Sequence, residues 1–241
     1  MERGGDARLA AGPEATWYLE TAFTPGAQLG TVYDDPETPV VVTGIEEVTT
    51  IRVPSGRLVV DAPWHDDEVW KYEQGRPTRP PRELAARIPP GTYRVEFSWT
   101  TGPYEFMGER FDGAECAATR LCVSDDPVVG WEMGLGVGDD LDGLEPGKRV
   151  EFGSDANIGC FADADAWPTL SAPFRTFTDG MPAPRDSEQL AELCERIRDE
   201  AHQADLVTFP AESGGVVWLG RTRTGEVASI VVTSGMPGAK A

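Results

Sequence analysis

A strict alternation of apolar and polar side chains leaves a chain few options, because only a β-strand turns successive residues to opposite faces. Tyr93, Val95, Phe97 and Trp99 form one such row and Arg94, Glu96 and Ser98 the other, entered through Pro89-Pro90-Gly91. The pattern predicts a strand with one face on a core. Shorter strands are expected at Val40-Val41-Val42, Val48 to Val53 and Leu58-Val59-Val60, broken by Gly44 and by a Pro54-Ser55-Gly56 turn, and pairing as a meander. Val216 to Leu219 and Val227 to Val232 flank Arg221-Thr222-Arg223-Thr224-Gly225 and read as a closing hairpin. Ser187 to His202 shows the i, i+3, i+4, i+7 spacing of an amphipathic helix capped by Asp186 or Ser187, with His202 in its last turn. Arg82 to Arg87 is expected to add a shorter helical turn. The fold class is therefore α+β, mainly β: antiparallel strands in a sandwich-like or curled sheet, with one clear amphipathic helix near the C-terminal part.

The 241 residues suit one β-rich domain, 1–241, with a core over roughly residues 40–232 and seven Trp among its core material. The net charge of −20 sets the chain against phosphate backbones, so nucleic acid is not an expected partner. The charge favours a basic protein or a cationic ligand instead, although acidity also serves solubility alone. No apolar run reaches the length of a membrane span or a signal peptide, so the expected location is the cytoplasm, without a membrane partner. Composition does not specify the oligomeric state.

Four cysteines raise the question of bridges. In a strand, Cys116 and Cys122 would lie roughly 20 Å apart, far beyond disulfide reach. Cys194 falls on the apolar stripe of the expected helix, with Leu190, Leu193, Ile197 and Ala201. Cys160 is the thiol left to a chemical reading.

Cys160 sits in the densest constellation of the chain, Asp155 to Trp167. If extended, this segment sets Phe161, Asp163, Asp165 and Trp167 on one face, where paired carboxylates could share a proton or hold a divalent cation. Asp163 and Asp165 are the candidate metal ligands. In the competing and favoured reading, Asp163 caps a short helical turn through Ala164 to Ala166. Val128 to Val137 also splits by parity. Gly130, Glu132, Gly134 and Gly136 make a bare strip that exposes one carboxylate to a ligand or, in the favoured reading, is covered by another strand or a helix while Glu132 meets solvent or an arginine. His65, beside Asp66, Asp67 and Glu68, could serve as a base for Cys160. The candidate catalytic set is thus Glu132, Asp155, Asp163, Cys160 and His65. Gly138 to Gly143 fails as a calcium loop, with glycine in the first ligand position and Arg149 in place of the last glutamate, and reads as an acidic turn. Two histidines and scattered thiols build no structural zinc site. Phosphate-loop, nucleophile-elbow and metalloprotease motifs do not occur.

In order along the chain, Gly56-Arg57-Leu58-Val59-Val60-Asp61-Ala62-Pro63, Ile88-Pro89-Pro90-Gly91-Thr92-Tyr93-Arg94-Val95, Trp131-Glu132-Met133 and Asp155 to Asp163 resemble a bacterial family, domain of unknown function 4241. Its last motif reads Asp, small residues, Gly, Cys or similar, Phe, any residue, Asp, which matches Asp155, Gly159, Phe161 and Asp163. The family tail shows Gly-Asp-Gly before its penultimate strand and Asp-Phe after its last. This chain has Glu212-Ser213-Gly214-Gly215 and Thr233-Ser234 there. The resemblance implies a fold and a bacterial origin, and brings no catalytic role.

Two functions are therefore expected to compete. One is an acidic binding or accessory protein, such as an immunity-type inhibitor of a basic protein. The other is an enzyme using carboxylate acid–base or divalent-metal chemistry on a small molecule or peptide.

Overall fold

The computed structural model describes residues 8–32, 35–63, 80–106, 109–140, 142, 144, 148–154, 157–174, 194–212 and 214–233. In order these form α1 (Pro13–Thr21), β1 (Gln28–Val32), β2 (Asp35–Val53), β3 (Leu58–Asp61), β4 (Gly91–Phe106), β5 (Glu109–Cys122), β6 (Gly130–Met133), β7 (Glu151–Gly153), β8 (Ile158–Asp163), α2 (Trp167–Leu170), β9 (Arg196–Asp199), β10 (Ala204–Pro210), β11 (Gly214–Arg221) and β12 (Val227–Thr233). The chain is mainly β, as the alternation predicts, and its larger sheet is antiparallel and curled. That sheet runs β1-β2-β4-β5-β12-β11-β6, with β7 also on β11; a second runs β3-β8-β10-β9. Two compact units share the residues, one of Met1–Thr49, Arg94–Met133 and Trp218–Ala241, the other of Thr50–Tyr93 and Gly134–Val217. Among the described residues no helix is long and apolar enough to cross a membrane.

In the first unit, β4 and β5 pair from Arg94↔Cys122 to Phe106↔Glu109, with a bulge where Ser98↔Ala118 steps to Trp99↔Cys116. The step leaves Ala117 unpaired in the ladder, and its carbonyl accepts the Tyr18 hydroxyl at 2.9 Å. The bulge thereby supplies the acceptor that fixes α1. Ser98 donates to the Ala22 carbonyl at the end of that helix, which is why a serine on the expected polar row is buried. The closing hairpin of β11 and β12 forms as predicted, with Gly225 at φ +84° in its turn.

In the second unit, β3, β8 and β10 are buried along almost their whole length. Such strands read as continuous apolar runs because both faces are covered. One face packs Val59, Cys160, Ala162 and Leu206 against Trp167, Leu170 and Phe174. On β8 and β10, Phe161 meets Phe209 at 4.6 Å between centroids. Burying one such ring contributes about 1.5–3 kcal/mol.

Several local expectations are corrected. The described part of the expected Ser187–His202 helix is strand β9 followed by a turn; residues 187–193 lie outside the described residues. Pairing decides this: Asp199↔Ala204 to Arg196↔Val207 ties the segment to β10, while Asp199 closes the turn by accepting from the Ala201 and His202 amides at 2.9 and 3.1 Å. Accordingly Cys194 lies on no helical stripe, and His202 ends no helix. Arg82 to Arg87 forms no helical turn, because Glu83 and Leu84 are extended and bridge Val59 and Gly136. β2 runs through Gly44 unbroken, and β3 leaves the meander for the second sheet.

Candidate functional site

Asp163 ends β8 with its carboxylate turned inward and only 1 % exposed. Oδ1 accepts from the amides of Asp165 (2.9 Å) and Ala166 (3.3 Å), closing the turn before α2. Oδ2 accepts from the amide and hydroxyl of Ser55 at 2.9 and 2.6 Å. Four donors saturate both oxygens, so this geometry spends the carboxylate on holding two loops together. Asp165, one turn residue on, instead pairs with Arg57. Asp163→Asn keeps one carbonyl oxygen and turns an amide N–H₂ toward the other pair of donors. It is expected to cost about 2–4 kcal/mol in urea denaturation; a variant as stable as the wild type but functionally dead would assign Asp163 to chemistry instead.

The turn that meets Asp163 is a hub. Arg57 donates to Glu83 through Nε (2.9 Å) and Nη2 (2.6 Å) as well as to Asp165. The Arg57 hydrogen bond holds the Glu83 carboxyl below the usual carboxylate range. Gly56 accepts from the Ile88 amide at 3.1 Å. Two residues beyond Gly91, Tyr93 folds back to donate its hydroxyl to the Pro89 carbonyl. Its ring lies close enough that a methyl group at Gly91 would touch it at 3.0 Å. Gly159 has no room for a side chain either, since a Cβ there would enter the ring of Phe209. Three of the stretches that suggested a family, those around Gly56, Ile88 and Gly159 to Asp163, thus meet here as a packing and hydrogen-bonding unit.

Cys160 is fully buried. Burial first, then the Asp61 carboxylate, pushes its thiol well above the ordinary value. The thiolate needed for nucleophilic attack is correspondingly disfavoured. Cys160 is expected to stay unlabelled by iodoacetamide at pH 8 over a time in which the unfolded chain labels fully, as read by peptide mass mapping; rapid labelling of the native protein would restore it as a nucleophile. Cys116 is likewise pushed up, to about 11, chiefly by burial.

Glu132 lies on β6 and accepts from Arg221 Nε and Nη2 at 2.8 and 2.6 Å, both at Oε1. Farther along the glycine strip, Gly136 lies against Arg82, whose Nη2 donates to Gly134 O (2.7 Å) and Asp139 Oδ2 (3.0 Å). Asp139 also accepts from the Gly136 amide, which makes the acidic stretch a turn where it is described. Asp155 and His65 lie outside the described residues. Among the described residues no three His, Cys, Asp or Glu side chains gather in a way that could hold a metal ion.

Sequence reading gave no site role to the residues around an open groove of about 400 Å³, lined by Arg52, Pro54, Pro90, Gly91, Thr92 and Gln203. Arg52 gives its Nη1 to Glu200 and Gln203, and its amide, Nε and Nη2 to Asp205. Arg196 also reaches Asp205, at 2.6 Å. Next to Gln203, His202 Nδ1 lies 2.7 Å from Asp199 Oδ2. That hydrogen bond is the main reason the Asp199 carboxyl is held below its usual range. One signal for Asp205 was present: a carboxylate inside the otherwise apolar run Ala204 to Val207 has to be paired.

A family model described as a protein of unknown function, DUF4241, matches residues 51–235. No curated protein and no solved structure matches the chain.

Proposed function

The chain belongs to the DUF4241 family, and on that footing we propose that it is a bacterial cytoplasmic binding protein whose acidic surface engages a basic protein, as an immunity-type inhibitor would. The observation that carries this reading is how the charges are used. Arg52, Arg57, Arg94, Arg120, Arg196 and Arg221 all spend guanidinium groups on carboxylates of their own chain. With 41 acidic against 21 basic residues, a surplus of 20 negative charges remains. Exposed carboxylates such as Asp126 and Glu226 face solvent and would steer a basic partner at low ionic strength.

The test is purification of the tagged protein from its own host at low salt, with mass spectrometry of the proteins and small molecules that accompany it. A stoichiometric basic protein released by raised salt is the expected result. A chain that elutes alone, carrying a metal or metabolite, would overturn the reading.

One observation favours the second reading, acid–base or divalent-metal chemistry on a small molecule or peptide. The Asp199 contact engages Nδ1 of His202 and so orients the ring of a side chain 60 % exposed, next in sequence to the groove residue Gln203. Under that reading His202→Gln would abolish turnover of a metabolite found in the same purification.

A further inference from the structure

The larger sheet ends in a strand whose outer edge, among the described residues, pairs with one short segment. β6 pairs with β11 on one side. On the other, the Ala11 amide donates to Trp131 O at 2.9 Å and the Met133 amide to Leu9 O at 2.7 Å, making Ala10 the antiparallel partner of Glu132. Ala10 is exposed, and Leu9 and Ala11 are half-buried. The next element is held far better, since α1 buries Ala15, Tyr18 and Leu19 and is fixed through the Tyr18 hydroxyl. Gly12, exposed and with open space where a Cβ would stand, joins the two. Lifting the Leu9–Ala11 strap while α1 stays in place would also stretch one long hydrogen bond, from the Thr16 hydroxyl of α1 to Ala11 O at 3.3 Å.

The edge beneath the strap is equipped for more than an alanine. Both Arg221 bonds end on Oε1 of Glu132, so among the described residues Oε2 on this 26 % exposed side chain receives no hydrogen bond. Trp131 Nε1 is buried without a hydrogen-bond partner among the described residues, and Val129, just before the strand, is 61 % exposed. Because the hydrogen bonds flank them, Ala10 and Glu132 form a non-hydrogen-bonded pair, the kind in which facing side chains come closest. A lysine or arginine at the Ala10 register would share a face with Glu132 and reach its carboxylate.

We propose that β6 is the edge on which the basic partner docks: an extended segment of the partner displaces Leu9–Ala11, adds to β6 as a strand and sets a Lys or Arg opposite Glu132. This rests on the reading of the chain as a binding protein for a basic protein. The strap is then an internal stand-in that shields the edge from unwanted pairing until the partner arrives.

The test uses the full chain. Ala11→Pro removes the N–H that holds the strap to Trp131, and Ala10→Arg gives the strap the cation itself. The probes are nine-residue peptides with the sequence of residues 6–14, carrying Ala, Arg or Glu at the position of Ala10. Ala11→Pro is expected to speed hydrogen exchange at the Met133 amide and to bind the Arg peptide about two- to fivefold more tightly than the Ala peptide. The Glu peptide binds most weakly, and Glu132→Gln removes the ranking. Ala10→Arg slows Met133 exchange and suppresses peptide binding. Faster exchange without saturable peptide binding, affinities indifferent to the residue facing Glu132, or dimerisation of Ala11→Pro through the opened edge would each overturn the proposal. The two readings fail separately. Charge-ranked peptide binding with no basic protein retained from the host keeps the edge and removes the partner class. A retained basic protein that binds wild type, Ala10→Arg and Ala11→Pro alike keeps the partner and removes the edge.

Discussion

Gly56→Ala is expected to destabilise the protein by about 3–5 kcal/mol, while Gly225→Ala, at a similar backbone conformation, costs about 1–2 kcal/mol. Both glycines sit at positive φ, +67° and +84°, where any L-residue crowds its own carbonyl. Around Gly225 nothing lies within 4 Å of an added Cβ, so only this intrinsic strain is felt. At Gly56 the same methyl would collide with the carbonyl oxygen of Ile88. The Ile88 backbone cannot simply retreat, because its amide donates to Gly56 O and the Gly56 amide donates to Val53 O. Relief would loosen the turn that carries Ser55 and Arg57, and with it the contacts to Asp163, Glu83 and Asp165. Urea denaturation of the two variants side by side separates strain from collision; equal losses would show that the Ile88 segment yields without cost.

What the sequence made legible was local. Alternation marked β4, and Gly225 marked the closing turn, because each depends on neighbours in the chain. The capping role of Asp163 was readable too, since a carboxylate before Ala164-Asp165-Ala166 can close a turn unaided. Its second pair of donors was not, because Ser55 stands 108 residues away. The misread helix shows the same limit. Ile197 and Ala201 continue an apolar 3.6 period from Leu190 and Leu193, yet Arg196-Ile197-Arg198-Asp199 alternates equally well. Pairing with Ala204–Val207, a non-local event, settles it as a strand. Helix α1 escaped notice because its nine residues show the Ala15, Tyr18, Leu19 spacing only once and the exposed Trp17 blurs it, and Pro13 at its start was the one further local mark. The carboxylates of the candidate site were legible as a density of charge. Whether each was spent on a cap or an arginine depended on residues distant in the chain.

Asp205→Ala is expected to cost about 3–5 kcal/mol at pH 7, because it leaves two guanidinium groups facing a buried site without their carboxylate. Asp205 has no exposed surface, and Arg52 and Arg196 are about one-fifth exposed, so water replaces little of what is lost. The effect should also depend on pH. Burial alone would raise the Asp205 pKa; the hydrogen bonds from Arg52 and Arg196 together outweigh it and leave the carboxyl below its ordinary value. A folded pKa below the unfolded one, about 3.9, makes the contribution complete above that pH and lost as pH falls through the lower folded value. Wild type and Asp205→Ala should therefore differ most between about pH 5 and 8 and converge in stronger acid. Asp205→Asn tests whether charge or shape matters: it keeps the size and one acceptor, and should fall between the two. A gap between wild type and Asp205→Ala that stays constant down to the acid transition would mean that the carboxylate is not stabilised as an anion by its two arginines. Arg52 would then be a group held in the groove for a ligand rather than for the fold.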